Sequence, residues 1–339
     1  MAGPPPAVAE VRVAVRRAVA DLRGQPAGTA DDGRRTPGNG LVLAACSGGA
    51  DSLALAAALA FVAPRLGLRA GLVTVDHGLQ DGSAQRAAGV ADWGKAQGLD
   101  PVEVATVTVA GEGGPEAAAR TARYRALDEA AERLDAAAVL LGHTRDDQAE
   151  TVLLALARGA GPRGIAGMPA RRGIYRRPLL DLPRSVTREA AEAQDLPVWQ
   201  DPHNADPAYA RARVRAVMPA LREALGDGVV GNLARAARLA AADEAVLGGL
   251  ARRALAKVSA GDSLDVAALS DYPAAIRTRV LHRWALSLGC SGSALSARHI
   301  DALDALLTAW SGQGAVHLPG DFRVRRTSRR LVAESPHEP

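Results

Sequence analysis

The first continuous apolar run, Leu41 to Cys46, has the length of a strand buried on both faces, and the stretch Leu53 to Val62 behind it is long enough only for a helix. The same alternation then repeats. Ala70 to Asp76 reads as a strand, Ser83 to Gln97 as a helix, Val102 to Val109 as a strand, Pro115 to Leu134 as a helix and Ala138 to Gly142 as a strand. This βαβ rhythm predicts an α/β fold, a parallel sheet with helices on both faces. The Val102 strand interleaves threonines and Glu103 with its apolar positions, which suits the sheet edge. Ligands of such sheets bind at the carboxyl ends of the strands, so the residues after Cys46, Asp76 and Gly142 should converge.

Outside this core the pattern changes. Residues 1–40 read as an N-terminal amphipathic helix, Met1 to Leu22, and a flexible connector rich in Gly, Pro and charge over Gly24 to Gly40. The core itself spans residues 41–217. A helical domain over 218–270 follows, because from Arg211 to about Ala256 the strand patterns give way to alanine-rich helical ones. A small unit over 271–335 closes the chain. Within it, Tyr272 to Val332 contains two helical stretches and a short strand-like end, Ala315 to Leu318 and Phe322 to Arg325, joined through Pro319 and Gly320. There is no internal repeat.

Composition narrows the partners. The 339 residues carry a formal charge of only +4, but the arginines cluster at 171, 172, 176 and 177, at 211, 213 and 215, and at 323, 325, 326, 329 and 330. Clustered arginine is the footprint of a polyanion such as nucleic acid. Two cysteines far apart, Cys46 and Cys290, exclude a Cys-x-x-Cys metal or redox pair and point to the cytoplasm. The charges of Met1 to Leu22 do not suit a signal peptide, and no stretch is apolar enough to span a bilayer, so no membrane is expected.

Chemistry concentrates in three places. Between the first strand and helix, Ser47, Gly48, Gly49, Ala50, Asp51 and Ser52 read as a pyrophosphate cradle: glycines for a tight turn, hydroxyls to donate, and a helix N-terminus aimed at an anion. Asp51 would repel phosphate alone, so it suits a magnesium ion or the orientation of the loop; the plainer alternative is a capped turn. No Gly-x-x-x-x-Gly-Lys or Gly-x-Gly-x-x-Gly signature accompanies it. The second strand ends in Asp76 and His77. The fourth leads into His143, Asp146, Asp147 and Glu150, a density of acid at a helix start that asks for magnesium or a protonated amine as well as a dipole. Glu116, Arg120 and Arg123 fall on one helical stripe, either a solvated ion-paired face or a phosphate-facing one.

The Ser-Gly-Gly-x-Asp-Ser run resembles that of the PP-loop ATPases, whose fold is of the adenine nucleotide α-hydrolase type. The resemblance implies ATP cleaved between its α and β phosphates, with Mg2+, to adenylate an oxygen. A narrower resemblance comes from Val75 to Leu79, Glu116 with Ala119-Arg120 and Arg123-Tyr124, Gly142-His143 with Asp146 to Thr151, Arg158 to Gly161, Gly164 to Met168, Arg177 to Leu180, and Asp201 to Asn204 with Arg211. In this order they resemble the tRNA(Ile)-lysidine synthase family over about residues 41–217. That implies a ligase joining L-lysine to C2 of the wobble cytidine in the isoleucine tRNA with anticodon CAU. On this resemblance Ser47 to Ser52, Asp76 and His77 bind ATP, and Asp51 and Asp146 hold magnesium. Arg120 and Arg123 steady the α-phosphate, Asp147 and Glu150 hold and deprotonate lysine, and His143 touches phosphate or base. Arg177, Arg211, Arg213 and Arg215 face tRNA. Two positions depart from the family pattern: Thr144 replaces a second histidine and Ala212 an asparagine. The rivals are a PP-loop tRNA thiolation enzyme, which needs more cysteine than this chain has, a small-molecule amide or amidine ligase, for which the arginine clusters have no use, and a non-enzymatic nucleotide-binding module, in which the acid cluster would be idle.

Overall fold

The computed structural model describes residues 3–23, 28–29, 35–36, 40–78, 82–108, 115–201, 206–292 and 294–334. The chain divides into two compact units, Met1–Leu239 and Ala240–Pro339. The first contains α1 (Pro6–Val19), β1 (Gly28–Thr29), β2 (Arg35–Thr36), β3 (Leu41–Ala45), α2 (Ala50–Arg65), β4 (Arg69–Asp76), α3 (Ser83–Ala96), β5 (Val102–Thr106) and α4 (Pro115–Arg133). It continues through β6 (Ala138–Leu141), α5 (Arg145–Ala157), α6 (Pro162–Ile165), β7 (Arg171–Arg172), β8 (Tyr175–Arg176), α7 (Arg184–Glu192), α8 (Ala210–Leu225) and the start of α9 (Val229–Val258).

Its main sheet has the order β5-β4-β3-β6-β8-β7. The pairs are parallel from β5 to β8, and β7 closes the edge antiparallel. The Val102 strand lies at the opposite edge, where its polar pattern placed it. From β3 the chain steps through β4 to β5, then returns to the other side of β3 as β6, so the order reverses between β3 and β6. A crevice opens at such a switch point.

Alternation along β3 explains the two cores. Val42, Ala44 and Cys46 pack with α1, α2 and Ala190 of α7, while Leu41 and Leu43 pack with Leu127, Ala130 and Ala131 of α4. Each fully buried Leu or Val here is worth about 1.5–3 kcal/mol. α1 lies against α2 and α7, and its Asp21 end is tied down by Arg176, whose Nη2 donates to the Asp21 carboxylate at 3.0 Å.

Three expectations change. In the segment 24–40, read as a connector, Gly28–Thr29 pairs antiparallel with Arg35–Thr36; its other positions up to 39 lie outside the described residues. The Val102 strand stops at Thr106, and Val109 is outside the described residues. The β7–β8 hairpin was not foreseen, because two-residue ladders carry no readable period.

The second unit holds the end of α9, then β9 (Ser259–Ala260), β10 (Ser263–Asp265), α10 (Val266–Ser270), α11 (Ala274–Ser287), α12 (Ala297–Thr308), β11 (Val316–His317), β12 (Arg323–Arg326) and β13 (Arg330–Glu334). Its antiparallel sheet runs β11-β12-β13-β10-β9 around a core that includes Trp284, Leu264, Val324 and Leu331. The pattern anticipated only the β11–β12 end. β10 and β13 each offer one fully buried leucine, Leu264 and Leu331, among charged or small neighbours, so they pair through the backbone more than through an apolar face. Among the described residues no helix is long and apolar enough to cross a membrane.

Candidate active site

β3 delivers the chain to the loop at residues 46–49. The Cys46 N–H extends the β4 pairing by donating to Val73 O at 2.9 Å, and the next residues turn. Gly48 sits at φ +82°, and a Cβ there would meet Val90 at 3.1 Å, so this position takes glycine on two counts. Ser52 is the hub of the turn. Its hydroxyl donates to Gly49 O at 2.9 Å and accepts from the Ser47 N–H at 3.1 Å, with the Ser47 hydroxyl 3.3 Å away. Gly49 begins α2 without any side-chain cap, which leaves the N–H groups of the first turn pointing out of the crevice floor. From the far side, the Trp199 N–H donates to Gly48 O at 2.9 Å, and Arg86 stacks on the Trp199 ring at 4.4 Å.

Strands β4 and β6 flank this loop. After β4, the Asp76 carboxylate accepts from Gly78 N–H at 3.0 Å; a hydrogen bond from Ser83 first, and this one second, hold its pKa below the usual range. Desolvation, helped by the Arg123 charge, pushes His77 down. After β6, Gly142 touches the loop's helix: a Cβ there would lie 3.2 Å from the Asp51 and Ser52 backbone. Thr144, one of the two departures from the family pattern, is fully buried and caps α5. Its backbone N–H and its hydroxyl donate to one Asp147 oxygen at 2.7 and 2.8 Å, which aims Asp147. Gln148 holds the Gly164 to Met168 motif by exchanging hydrogen bonds with the Met168 backbone at 2.8 and 3.0 Å.

The acid cluster on α5 meets guanidinium groups. Arg184 Nη2 lies 2.7 Å from Asp147 and 3.0 Å from Glu150, and Arg215 grips Glu150 with two donors at 2.9 and 3.0 Å. Asp146 faces the other way, accepting from Arg222 at 3.3 Å and from the Arg184 N–H at 2.8 Å. Asp51 accepts from the Thr187 hydroxyl, with Arg184 Nε at 3.8 Å; desolvation raises its pKa, and the Asp147 charge adds to the rise. Asp147 goes the opposite way: desolvation would raise it, but Arg184 and the Thr144 bonds hold it below the carboxylate range. Among the described residues no three His, Cys, Asp or Glu side chains are arranged to hold a metal.

A second cluster is cationic. Arg120 and Arg177 both donate to the Tyr124 hydroxyl, at 3.4 and 3.3 Å, while one nitrogen of each is buried without a partner. Arg123 stacks distantly on Tyr124, and neither an ion pair nor a hydrogen bond to its guanidinium occurs among the described residues. Desolvation, then their neighbouring guanidinium groups, lower both Arg120 and Arg123. His143 sits beside them. Desolvation pushes its pKa down to about 3 against the pull of Asp147, with Arg177, Arg123 and Arg211 adding, and its Nδ1 is buried without a partner. Several like charges held together with unsatisfied donors describe an anion site.

The structure thus brings Ser47 to Ser52, Asp147, Glu150, His143 and Asp51 to one switch point, with Asp76 and His77 on the other side of the loop. It parts the three arginines 211, 213 and 215. Arg215 joins the acid cluster, Arg213 donates to Pro207 O and Ala208 O at 2.6 and 3.0 Å, and Arg211 faces the cationic cluster. Glu116 lies on α4, whereas Leu79 and Pro202 to Asn204 are outside the described residues. Sequence reasoning missed Arg184, Thr187, Arg222 and Trp199. The only local signal for the first two is Pro183, which marks the start of α7 one residue before Arg184.

A parallel sheet with an uncapped Ser-Gly-Gly loop at its switch point, and with acid and arginine clusters around it, defines a PP-loop enzyme that uses ATP. A PP-loop domain model matches residues 29–221, and a model described as the TilS substrate binding domain matches 264–332. The chain belongs to the tRNA(Ile)-lysidine synthase family. It is 61% identical to the tRNA(Ile)-lysidine synthase of Salinispora tropica over 99% of both chains. It is 55% identical to that of Thermobifida fusca, over 99% of this chain and 100% of that one. The fold is shared with the U34-tRNA thiolase NcsA from Methanococcus maripaludis, at a TM-score of 0.53 and 18% identity, covering 69% of this chain and 80% of that one.

Proposed function

We infer that this chain ligates lysine to C2 of the wobble cytidine in the isoleucine tRNA bearing a CAU anticodon. The C2 oxygen attacks the α-phosphorus of ATP and pyrophosphate leaves. The lysine ε-amine then attacks C2, AMP departs with the oxygen, and the amine gives up its protons. The observation that carries this reading is the meeting of the uncapped phosphate loop with the carboxylates of α5 at one switch point, in a chain this similar to named lysidine synthases.

Each cluster has a task in that sequence. The loop N–H groups and the Ser47 hydroxyl grip pyrophosphate. Arg120 and Arg123, which have no carboxylate partner among the described residues, take the charge that builds on the α-phosphate. His143, neutral at physiological pH, offers an uncharged contact to base or phosphate. Asp147 and Glu150 take the lysine ammonium, whose deprotonation at pH 7 costs about 4–5 kcal/mol from a pKa of ~10.4. Arg215 covers these two carboxylates and is one-third exposed at 34%, against 14% for Arg184, so it is the guanidinium that yields to lysine.

Magnesium fits Asp51 better than Asp146. Asp51 is destabilised as an anion and its nearest cation is 3.8 Å away, whereas both Asp146 oxygens are taken. Bound there, Mg2+ would neutralise phosphate charge, with ATP and water completing its shell. Residues 41–217 serve catalysis in this reading, and the 218–270 and 271–335 regions hold tRNA. A chain that needs tRNA and ATP works in the cytoplasm.

The test is incubation with ATP, magnesium, labelled lysine and mixed tRNA. Label is expected in one tRNA species alone; label in none, or in several, rejects the assignment. A second expectation concerns the backbone contacts. Replacing Arg211 and Arg213 by Gln should reduce the slope of log affinity against log salt by about 0.7–0.9 for each lost phosphate contact. A slope that does not change returns both to the solvated surface.

A further inference from the structure

We propose that Arg184 is a positioning residue for both half-reactions, tying the phosphate-loop carboxylate of Asp51 to the Asp147 and Glu150 pair. The proposal rests on the assignment of Asp51 to ATP and of that pair to lysine. Arg184 opens α7, and its backbone and side chain are both used. The N–H donates to Asp146 at 2.8 Å, Nη2 reaches Asp147 at 2.7 Å, and Nη1 and Nη2 reach Glu150 at 3.1 and 3.0 Å. The third nitrogen, Nε, faces Asp51 at 3.8 Å. Only a planar fork with donors on several edges can face three carboxylates at once.

Its surroundings make the bridge rigid. α7 packs against α1 and α2, with Ala190 buried in their shared core, so Arg184 is presented by a packed helix and not by a loop. Three residues on, the Thr187 hydroxyl shares its single proton between Asp51 and the Arg184 carbonyl, which ties the helix start to the phosphate loop. Arg215 also meets Glu150 and Asp147, but among the described contacts Arg184 alone meets Asp51 as well. Without that guanidinium, Asp51 and the Asp147 and Glu150 pair lose the side chain that faces both. One cation therefore sets the spacing between the ATP site and the lysine site. Misplacement of reacting groups by ~1 Å costs about a hundredfold in rate.

The test compares Arg184→Met and Arg184→Lys in the full chain, reading thermal midpoint, tRNA-dependent ATP/pyrophosphate exchange and KM for lysine. Met and Lys have similar length, so their difference reports charge. Arg184→Met is expected to lose about a hundredfold in exchange and to raise the lysine KM about tenfold. Arg184→Lys should regain at least about tenfold in exchange, with the lysine KM still raised, since an ammonium cannot span Asp51 and Glu150 together. Arg184→Met with exchange and KM within about threefold of the parent chain overturns the proposal, as does Arg184→Lys no better than Arg184→Met with both melting as the parent does. If Arg184→Met does not fold, Arg184→Lys decides alone: a raised KM upholds the bridge and an unchanged KM rejects it. Exchange that survives Asp51→Ala would instead remove the site assignment on which the bridge stands.

Discussion

Asp51→Ala is expected to abolish tRNA-dependent ATP/pyrophosphate exchange, by about a thousandfold or more, while the protein keeps its fold. The carboxylate lies at the crevice floor, in the first turn of α2, where its contacts are the Thr187 hydroxyl and Arg184. Arg184 is 3.8 Å from it and keeps Asp147 and Glu150 when it goes, so no cation is orphaned and the cost to stability is small. The cost to chemistry is large on the proposed assignment, because a magnesium ion held there would lose its protein anchor, and the loop loses its tie to α7. Losing a positioned electrostatic group typically costs about a hundredfold to a thousandfold, and here two functions go together. A thermal melt within a few degrees of the parent chain, with exchange at background, is the expected pair of readings. Near-normal pyrophosphate release in the presence of tRNA would mean that the phosphate site lies elsewhere.

Glu150→Gln is expected to strike stability and the second half-reaction together. Glu150 is 1% exposed and accepts from both Arg184 and Arg215, so the amide leaves the buried guanidinium of Arg184 and the partly exposed one of Arg215 facing a neutral partner. Breaking one side of a buried ion network costs roughly 3–5 kcal/mol. For a unit of this size that lowers the melting midpoint by roughly 6–20 °C. Transfer of lysine to adenylated tRNA should fall by about a hundredfold or more, the scale of a lost proton acceptor. Exchange does not involve lysine, and Asp147 and Asp51 still hold Arg184, so it should fall much less. Adding Arg215→Met restores part of the stability, because the orphaned cation goes too, but none of the transfer. An unchanged melt would sink the ion-network reading of Glu150. Equal loss of both steps would place Asp147 and Glu150 in adenylation, leaving lysine to be sought near Asp76, His77 and Asp201.

The elements with a clear period were legible in the chain: β3, α2, β4, α3, β5, α4 and β6 each fall within a few residues of their apolar pattern. Two-residue ladders such as β7–β8, and strands with a single buried side chain such as β10 and β13, were not, since pairing there is carried by backbone hydrogen bonds that every sequence can make. Within the site, the phosphate loop was legible because φ +82° at Gly48 and a hydroxyl hub at Ser52 demand particular residue types in consecutive positions. The acid cluster could be located but not its neutralisation. The three carboxylates asked for a cation, and the cations present come from Arg184, Arg215 and Arg222, between 34 and 76 positions away in the chain.

What the amino-acid sequence by itself determined is the fold class, the switch-point loop and the family, because local steric demand and apolar period act between near neighbours along the chain. Thr144 is a departure from the family pattern in the sequence and a buried helix cap in the structure. Arg215 belongs by composition to a basic patch, yet it lies on Glu150. Only tertiary structure decided such matters, since the partner of a charge depends on which helix ends the sheet brings within about 4 Å, and Coulomb interaction at that range takes no account of separation in sequence.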